Sequence, residues 1–317
     1  MDIADLARQH LVSEYGNCHN FLDSSVGDKL SPIHTIKRDR VTPQNDHTAT
    51  QTTPPIESYQ PDYVTPITHL NLVVDKPIRI LCSNDYHVPY HDEKALAILL
   101  KFIEWYKPDY HIRLGDIWDF YQLSKFCRNI KTKADLQSDI DLGKRIIQEQ
   151  QAASPNTRDI FIPGNHEERL KKYIWQNARD LELDCLELPN LLGLRELKIK
   201  HAPADEGLMI NGVFMAYHGS IVRKYSGWTA KAEYEKNGCC GISGHCHRGG
   251  EHDRTNRGGE WGWWENYCLC LKNPEYIKHP DWQHGFRTVT FFKERLFHVA
   301  DAKMLDYRVM FGDKLFD

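Results

Sequence analysis

Five short apolar runs in this chain stop abruptly at polar residues, and no other feature narrows its fold as much. Ile78–Cys82 runs into Ser83-Asn84-Asp85-Tyr86-His87, and Tyr110–Leu114 into Gly115-Asp116-Ile117-Trp118-Asp119. Asp159–Ile162 runs into Pro163-Gly164-Asn165-His166-Glu167, Val213–Tyr217 into His218-Gly219, and Cys239–Ser243 into Gly244-His245-Cys246-His247. A short apolar run reads as a buried strand, and a polar residue placed directly after it is delivered to the carboxyl edge of a sheet. Gly115, without a side chain, lets an ion or a second backbone come close. Taken singly, each run end has an ordinary reading as a turn aspartate, a helix-capping asparagine or a core histidine.

Together the run ends supply seven candidate ligands: Asp85, His87, Asp116, Asn165, His218, His245 and His247. A mixture of carboxylate, imidazole and amide suits borderline ions, Mn²⁺ first, with Fe or Zn²⁺ also possible. It does not suit Ca²⁺, which takes mostly oxygen. Seven ligands are too many for one ion and suit two divalent metal ions sharing a carboxylate, at the ~3.5–4 Å separation of metal-assisted phosphoester hydrolysis.

Helical periodicity fills the intervals, at 92–106, 134–152, 166–178 and 226–237, while residues 180–200 fit no clear pattern. A Gly/Arg-rich loop is expected at 248–259, then an aromatic strand at 260–270 and late strands near 286–292 and 296–303. Strand and helix alternate first and strands dominate later, as in a layered α/β domain. The N-terminal part differs. Residues 1–30 are expected to hold a short helical segment of unknown role, and residues 31–70, rich in Pro, Thr, Gln and Asp, read as a linker or poorly ordered arm. The main domain is then 71–317.

Over 317 residues the net charge is −4, which argues against a globally basic nucleic-acid binder. The nine cysteines form no Cys-x-x-Cys pair and read as reduced, buried thiols. With no apolar signal core at Met1–Asp5 and no run long enough to cross a bilayer, a cytoplasmic protein without a membrane partner is expected.

Asp85-Tyr86-His87, Gly115-Asp116-Ile117-Trp118-Asp119, Gly164-Asn165-His166-Glu167, His218-Gly219 and Gly244-His245-Cys246-His247 resemble, in order, the five signature blocks of the calcineurin-like metallophosphoesterases. The resemblance covers roughly residues 78–250. It implies a four-layer α/β/β/α sandwich, two packed mixed sheets flanked by helices, here with an N-terminal extension. It also implies that Asp85, His87 and His247 hold one ion, that Asn165, His218 and His245 hold the other, and that Asp116 bridges them. His166 would be the general acid and Asp119 would hold its ring. Phe120-Tyr121 follows the bridging block where the protein phosphatases of the superfamily carry Arg-Gly, and Asp119 stands where purple acid phosphatases have a tyrosine ligand.

The function expected is metal-dependent hydrolysis of phosphoesters, diesters ahead of monoesters. The alternatives are a phosphomonoesterase or phosphoprotein phosphatase, and a catalytically degenerate scaffold. Basic residues recur beside the blocks: Lys125, Arg128, Lys131 and Lys133; Arg169, Lys171 and Lys172; Arg248, Arg254 and Arg257, the last followed by Trp261, Trp263 and Trp264. A nucleotide or single-stranded nucleic acid is therefore an expected partner, with Arg248 and Arg254 as candidate substrate contacts. The ordinary reading is a set of solvated faces and core tryptophans.

Overall fold

The computed structural model describes residues 63, 65–125, 135–181, 183–273 and 279–317. The chain separates into two units, Met1–Ser58 and Tyr59–Asp317, and every described residue belongs to the second. The helical segment expected at 1–30, most of the arm expected at 31–70, and Arg128, Lys131 and Lys133 lie outside the described residues.

The elements begin with β1 (His69–Leu70), β2 (Ile78–Ser83), α1 (Glu93–Tyr106), β3 (Tyr110–Arg113), α2 (Leu136–Ala153), β4 (Arg158–Phe161) and α3 (Glu168–Asn177). They continue with α4 (Leu188–Leu191), β5 (Lys200–His201), β6 (Leu208–Ile210), β7 (Phe214–Tyr217), α5 (Trp228–Asn237) and β8 (Cys240–Ser243). The last are β9 (Gly249–Asn256), β10 (Gly259–Asn266), β11 (Gly285–Lys293), β12 (Leu296–Leu305), β13 (Arg308–Phe311) and β14 (Lys314–Phe316). They form an eight-stranded sheet in the order β14-β13-β12-β11-β2-β3-β4-β5 and a six-stranded sheet in the order β1-β6-β7-β8-β10-β9. Both sheets are mixed. β2 to β5 run parallel, as do β7, β8 and β10, whereas β11 and β9 pair antiparallel to their neighbours.

Alternation along the strands explains why the two sheets stack. Ile80 and Cys82 of β2, with Ile112, Leu114, Ile160 and Ile162, face Phe214, Ala216 and Ile242 of the other sheet in one buried cluster. Leu81 and Phe161 point the opposite way, to Ala95, Leu99, Phe102 and Ile103 of α1 and to Ile140 and Ile147 of α2. A strand buried on both faces therefore reads as a continuous apolar run. α1 starts where the Asp92 carboxylate accepts from the N–H groups of Lys94 and Ala95, each at 3.1 Å. α5 covers the outer side of the six-stranded sheet, where the Tyr217 hydroxyl donates to Glu233 and Glu265 Oε1 accepts from Ala230 N at 3.0 Å. The layers are thus α/β/β/α, the expected calcineurin-like sandwich.

Three sequence expectations need revision. The stretch 248–259 is mostly the edge strand β9, paired in register with β10, and not a loop. Its polar sequence gives no alternation because the strand is largely exposed. Cys268 and Cys270 lie beyond β10, in isolated bridges with His284 and His91. His69–Leu70, at the end of the expected arm, form β1 and pair with β6. No described helix is long and apolar enough to cross a membrane.

Candidate metal centre

All five blocks leave the carboxyl ends of parallel strands: β2, β3 and β4 in one sheet, β7 and β8 in the other. The parallel pairing continues into the loops. Asp85 N donates to Gly115 O at 3.0 Å and His87 N to Asp116 O at 2.9 Å, which sets the first two blocks side by side. A crevice at the carboxyl edge of such strands is where α/β proteins place their chemistry.

The loops approach more closely than ordinary side chains allow. Gly115 has φ +86°, and a Cβ there would lie 2.5 Å from Gly164 N. Five of the seven candidate ligands adopt left-handed backbone: Asp85 (φ 53°), His87 (52°), Asp116 (51°), His245 (68°) and His247 (58°). Non-glycine residues rarely adopt this conformation, and its cost, ~1–3 kcal/mol each, is met where the surroundings over-determine it.

Asp116 sits at the focus. Its Oδ2 is 3.1 Å from His218 Nε2, 3.8 Å from His87 Nε2 and 3.8 Å from His166 Nε2, while Oδ1 accepts from His166 N at 2.9 Å. On one side, His87 Nε2 and Asp85 Oδ1 each lie 3.1 Å from His247 Nε2. On the other, Asn165 Oδ1 is 3.2 Å from His218 Nε2, and the His245 ring centroid is 5.1 Å from that of His218. Two sets of possible ligand atoms, each within 4.8 Å of one another, share Asp116: His218 with His245, and His87 with His166.

The histidine tautomers fit metal binding. His218 Nδ1 donates to Leu114 O at 2.7 Å and His87 Nδ1 to Asp119 Oδ2 at 3.1 Å. Each thereby keeps Nε2 as the ring atom turned to an ion, which it can hold once that nitrogen gives up its proton. Burial works to raise the Asp85 and Asp116 carboxyls, yet neighbouring histidines, His247 for Asp85 and His218 for Asp116, hold both well below the usual carboxylate range. Burial alone would lower His218, but the charge and hydrogen bond of Asp116 raise it to about 9. His245 goes the other way, down to about 4, through burial and the nearby His218 charge. Charged carboxylates between imidazoles form a donor set that fits divalent ions.

His166 and Asp119 lie together, with His166 Nδ1 3.0 Å from Asp119 O and 3.1 Å from Oδ2. The candidate substrate arginines are placed differently. Arg248 is buried, and its guanidinium donates to Lys224 O at 3.0 Å and to Arg223 O, and faces Asp281 at 3.8 Å. Arg254 is exposed on β9 with its guanidinium over the Tyr234 ring. Seven residues of strand beyond His247, it stands roughly 20 Å away along the chain. Trp263 is fully buried, and Trp264 stacks on Phe214 at 6.1 Å, so these tryptophans fill the core.

Sequence reasoning missed Glu167. Its buried carboxylate accepts from Asp116 N (2.9 Å), Ile117 N (2.7 Å), Trp118 N (3.0 Å) and Gly164 N (2.8 Å). One side chain thereby ties the Asp116 loop to the Asn165 loop. Burial and the nearby Asp116 charge push it up to about 7. Also missed were Trp282, whose ring centroid lies 4.2 Å from that of His247, and Cys270, whose Sγ is 4.0 Å from His247 Nδ1.

No protein-family model matches the chain. Over 227 residues, 67% of this chain and 88% of the relative, it is 26% identical to the gene 54 protein of Mycobacterium phage L5. Among solved structures it is similar to Vps29 from Entamoeba histolytica complexed with zinc, at 10% identity and TM-score 0.39, covering 74% of this chain and 96% of that one. It is also similar to a dimetal phosphatase from Danio rerio, at 11% identity and TM-score 0.38, covering 71% and 95%. At such distances these likenesses decide nothing about chemistry. The chain's own two mixed sheets between helices, with five signature loops converging on Asp116 at their common edge, give it the calcineurin-like metallophosphoesterase fold.

Proposed function

We propose that the chain hydrolyses phosphoesters, diesters in preference to monoesters, with two divalent ions. The observation that carries this reading is the Asp116 carboxylate, whose Oδ2 faces histidines of both sets, His218 at 3.1 Å and His87 at 3.8 Å. Asp85, His87 and His247 would hold one ion and Asn165, His218 and His245 the other, with Asp116 shared between the two. Such ions acidify a water and place positive charge opposite phosphoryl oxygens. Mn²⁺ is the first choice for this nitrogen–oxygen set, with Fe or Zn²⁺ as alternatives. His166, its Nδ1 held by Asp119, is the proposed proton donor to the leaving oxygen.

A diester carries a second substituent that needs surface. Exposed Arg223, Lys224, Tyr225 and Trp228 offer it, on the segment that Arg248 ties down beside His247. Basic and aromatic side chains together suit a nucleotide or single-stranded nucleic acid. Among the described residues every cysteine is free, with Cys82, Cys240, Cys246, Cys268 and Cys270 buried but Cys185 exposed, which fits a reducing compartment such as the cytoplasm.

The test is metal analysis and a hydrolysis screen of the wild type and Asp116→Asn. The screen uses Mn²⁺ with bis(para-nitrophenyl) phosphate, para-nitrophenyl phosphate and single-stranded DNA. The wild type is expected to hold two equivalents and to favour the diester, and Asp116→Asn to lose metal and fall about 100-fold or more in kcat/KM. Two equivalents retained by the variant would remove the bridging role. A preference for the monoester would favour the phosphomonoesterase alternative.

A further inference from the structure

Arg169 occupies the edge of His166 that a proton donor to substrate needs. Its Nη2 lies 3.0 Å from His166 Nε2, and its Nη1 lies 2.8 Å from Asp119 O and 3.1 Å from Asp119 Oδ1. A guanidinium only donates. His166 Nε2 therefore accepts here, and the ring carries its hydrogen on Nδ1, facing Asp119. Held this way, His166 has no proton on Nε2 to give.

The guanidinium also stands at the rim of the metal centre, because the same Nε2 is 3.8 Å from Asp116 Oδ2. Nη2 carries two hydrogens, and only the one toward His166 has a partner among the described residues. The side chain is 17% exposed, so it is within reach of a ligand entering from solvent. A phosphoryl anion is a far stronger partner for guanidinium than a neutral imidazole, since it is charged and matches the planar fork. Asp119 keeps the Arg169 Nη1 end in place while the Nη2 end exchanges partners.

We propose that Arg169 contacts the substrate: its Nη2 exchanges His166 Nε2 for an oxygen of the bound phosphoryl group, which frees Nε2 to take up a proton from solvent and pass it to the leaving oxygen. Arg169 is thus both a phosphate ligand and the residue that makes the availability of His166 depend on substrate. This rests on the phosphoesterase reading and adds to it.

Calorimetric binding of inorganic phosphate to metal-loaded wild type, Arg169→Gln and Arg169→Lys separates the two, because it needs no turnover. Arg169→Gln is expected to keep its metal, to bind phosphate about 10-fold or more weakly, and to lose about 100-fold in kcat/KM on aryl diesters, the usual scale for removing one donor to a developing anion. Arg169→Lys, which keeps the charge but not the fork, is expected to recover phosphate binding more than turnover. Unchanged phosphate binding in Arg169→Gln overturns the proposal, as does loss of metal from that variant, which would make Arg169 a structural support. A metal-loaded wild type that hydrolyses no ester removes the parent reading instead, and the phosphate titration still reports on Arg169.

Discussion

Asp119 stands between two histidines for which different tasks are proposed. Its Oδ2 is 3.1 Å from Nδ1 of His87, a metal-ligand candidate, and 3.1 Å from Nδ1 of His166. Burial works to raise its pKa, but the hydrogen bonds from His166 and His87 hold it well below the usual range, so it stays an anion that both rings can share. Division of labour between the two rings gives a sharp expectation. His166→Ala should retain both metals and lose turnover by about 100-fold or more on poor leaving groups, and much less on para-nitrophenoxide, which needs no proton. Equal loss on both would exclude proton transfer by His166. His218 carries a pH dependence. Metal-free, it is raised to about 9 by Asp116 against the opposing effect of burial. That pairing stabilises the metal-free fold fully below the ordinary value of 6.5 and is lost as pH rises through about 9. An ion at Nε2 must displace the same proton. Its affinity should therefore rise about tenfold per pH unit below about 9 and level off above. Chelator-competition titrations across that range check this, and a flat profile below pH 9 would contradict it.

Strand ends and the loops that leave them hold the centre together, and here Gly115 is the decisive position. With φ +86° and a would-be Cβ 2.5 Å from Gly164 N, Gly115→Ala should cost ~1–3 kcal/mol or more. Thermal unfolding should show a fall of about 2–4 °C per kcal/mol, accompanied by lower metal content. An alanine variant with wild-type melting temperature and full metal would mean that the two loops separate freely. How far such elements can be read from sequence depends on what fixes them. β2, β3, β4, β7 and β8 announce themselves because both faces are buried and their apolar runs end at candidate ligands. β9 does not, since Gly249 to Asn256 is an edge strand whose order comes from pairing with β10. The candidate ligands were legible as a group because each lies immediately after a strand. Glu167 was not: after Asn165 and His166 it reads as an acid at a helix start, and only the folded chain brings four backbone N–H groups to it. The candidate substrate arginines misled for the converse reason. Sequence gives their charge and not their partners, and Arg248 spends its guanidinium on the carbonyls of Arg223 and Lys224.

For the whole molecule, the first described backbone bond into a sheet strand comes from Ile67, to His201 O at 2.8 Å, and β1 closes the edge of the six-stranded sheet at His69–Leu70. Removal of residues 1–58 should therefore leave a folded, metal-loaded unit with an unchanged melting temperature. Removal through residue 70 should lower it, because β6 loses its neighbour. A truncation at 58 that is insoluble or metal-free would show that the preceding segment completes the fold. The Glu167 cradle has a broader consequence. Because a protein carboxylate rivets the Asp116 and Asn165 loops together, the shape of the socket does not rest on an ion alone, unlike a zinc finger, whose fold forms only around its metal. If the proposed hydrolysis holds, stripped chains would persist as a standing reserve, and activity would track the supply of metal on the timescale of binding, with no new synthesis needed.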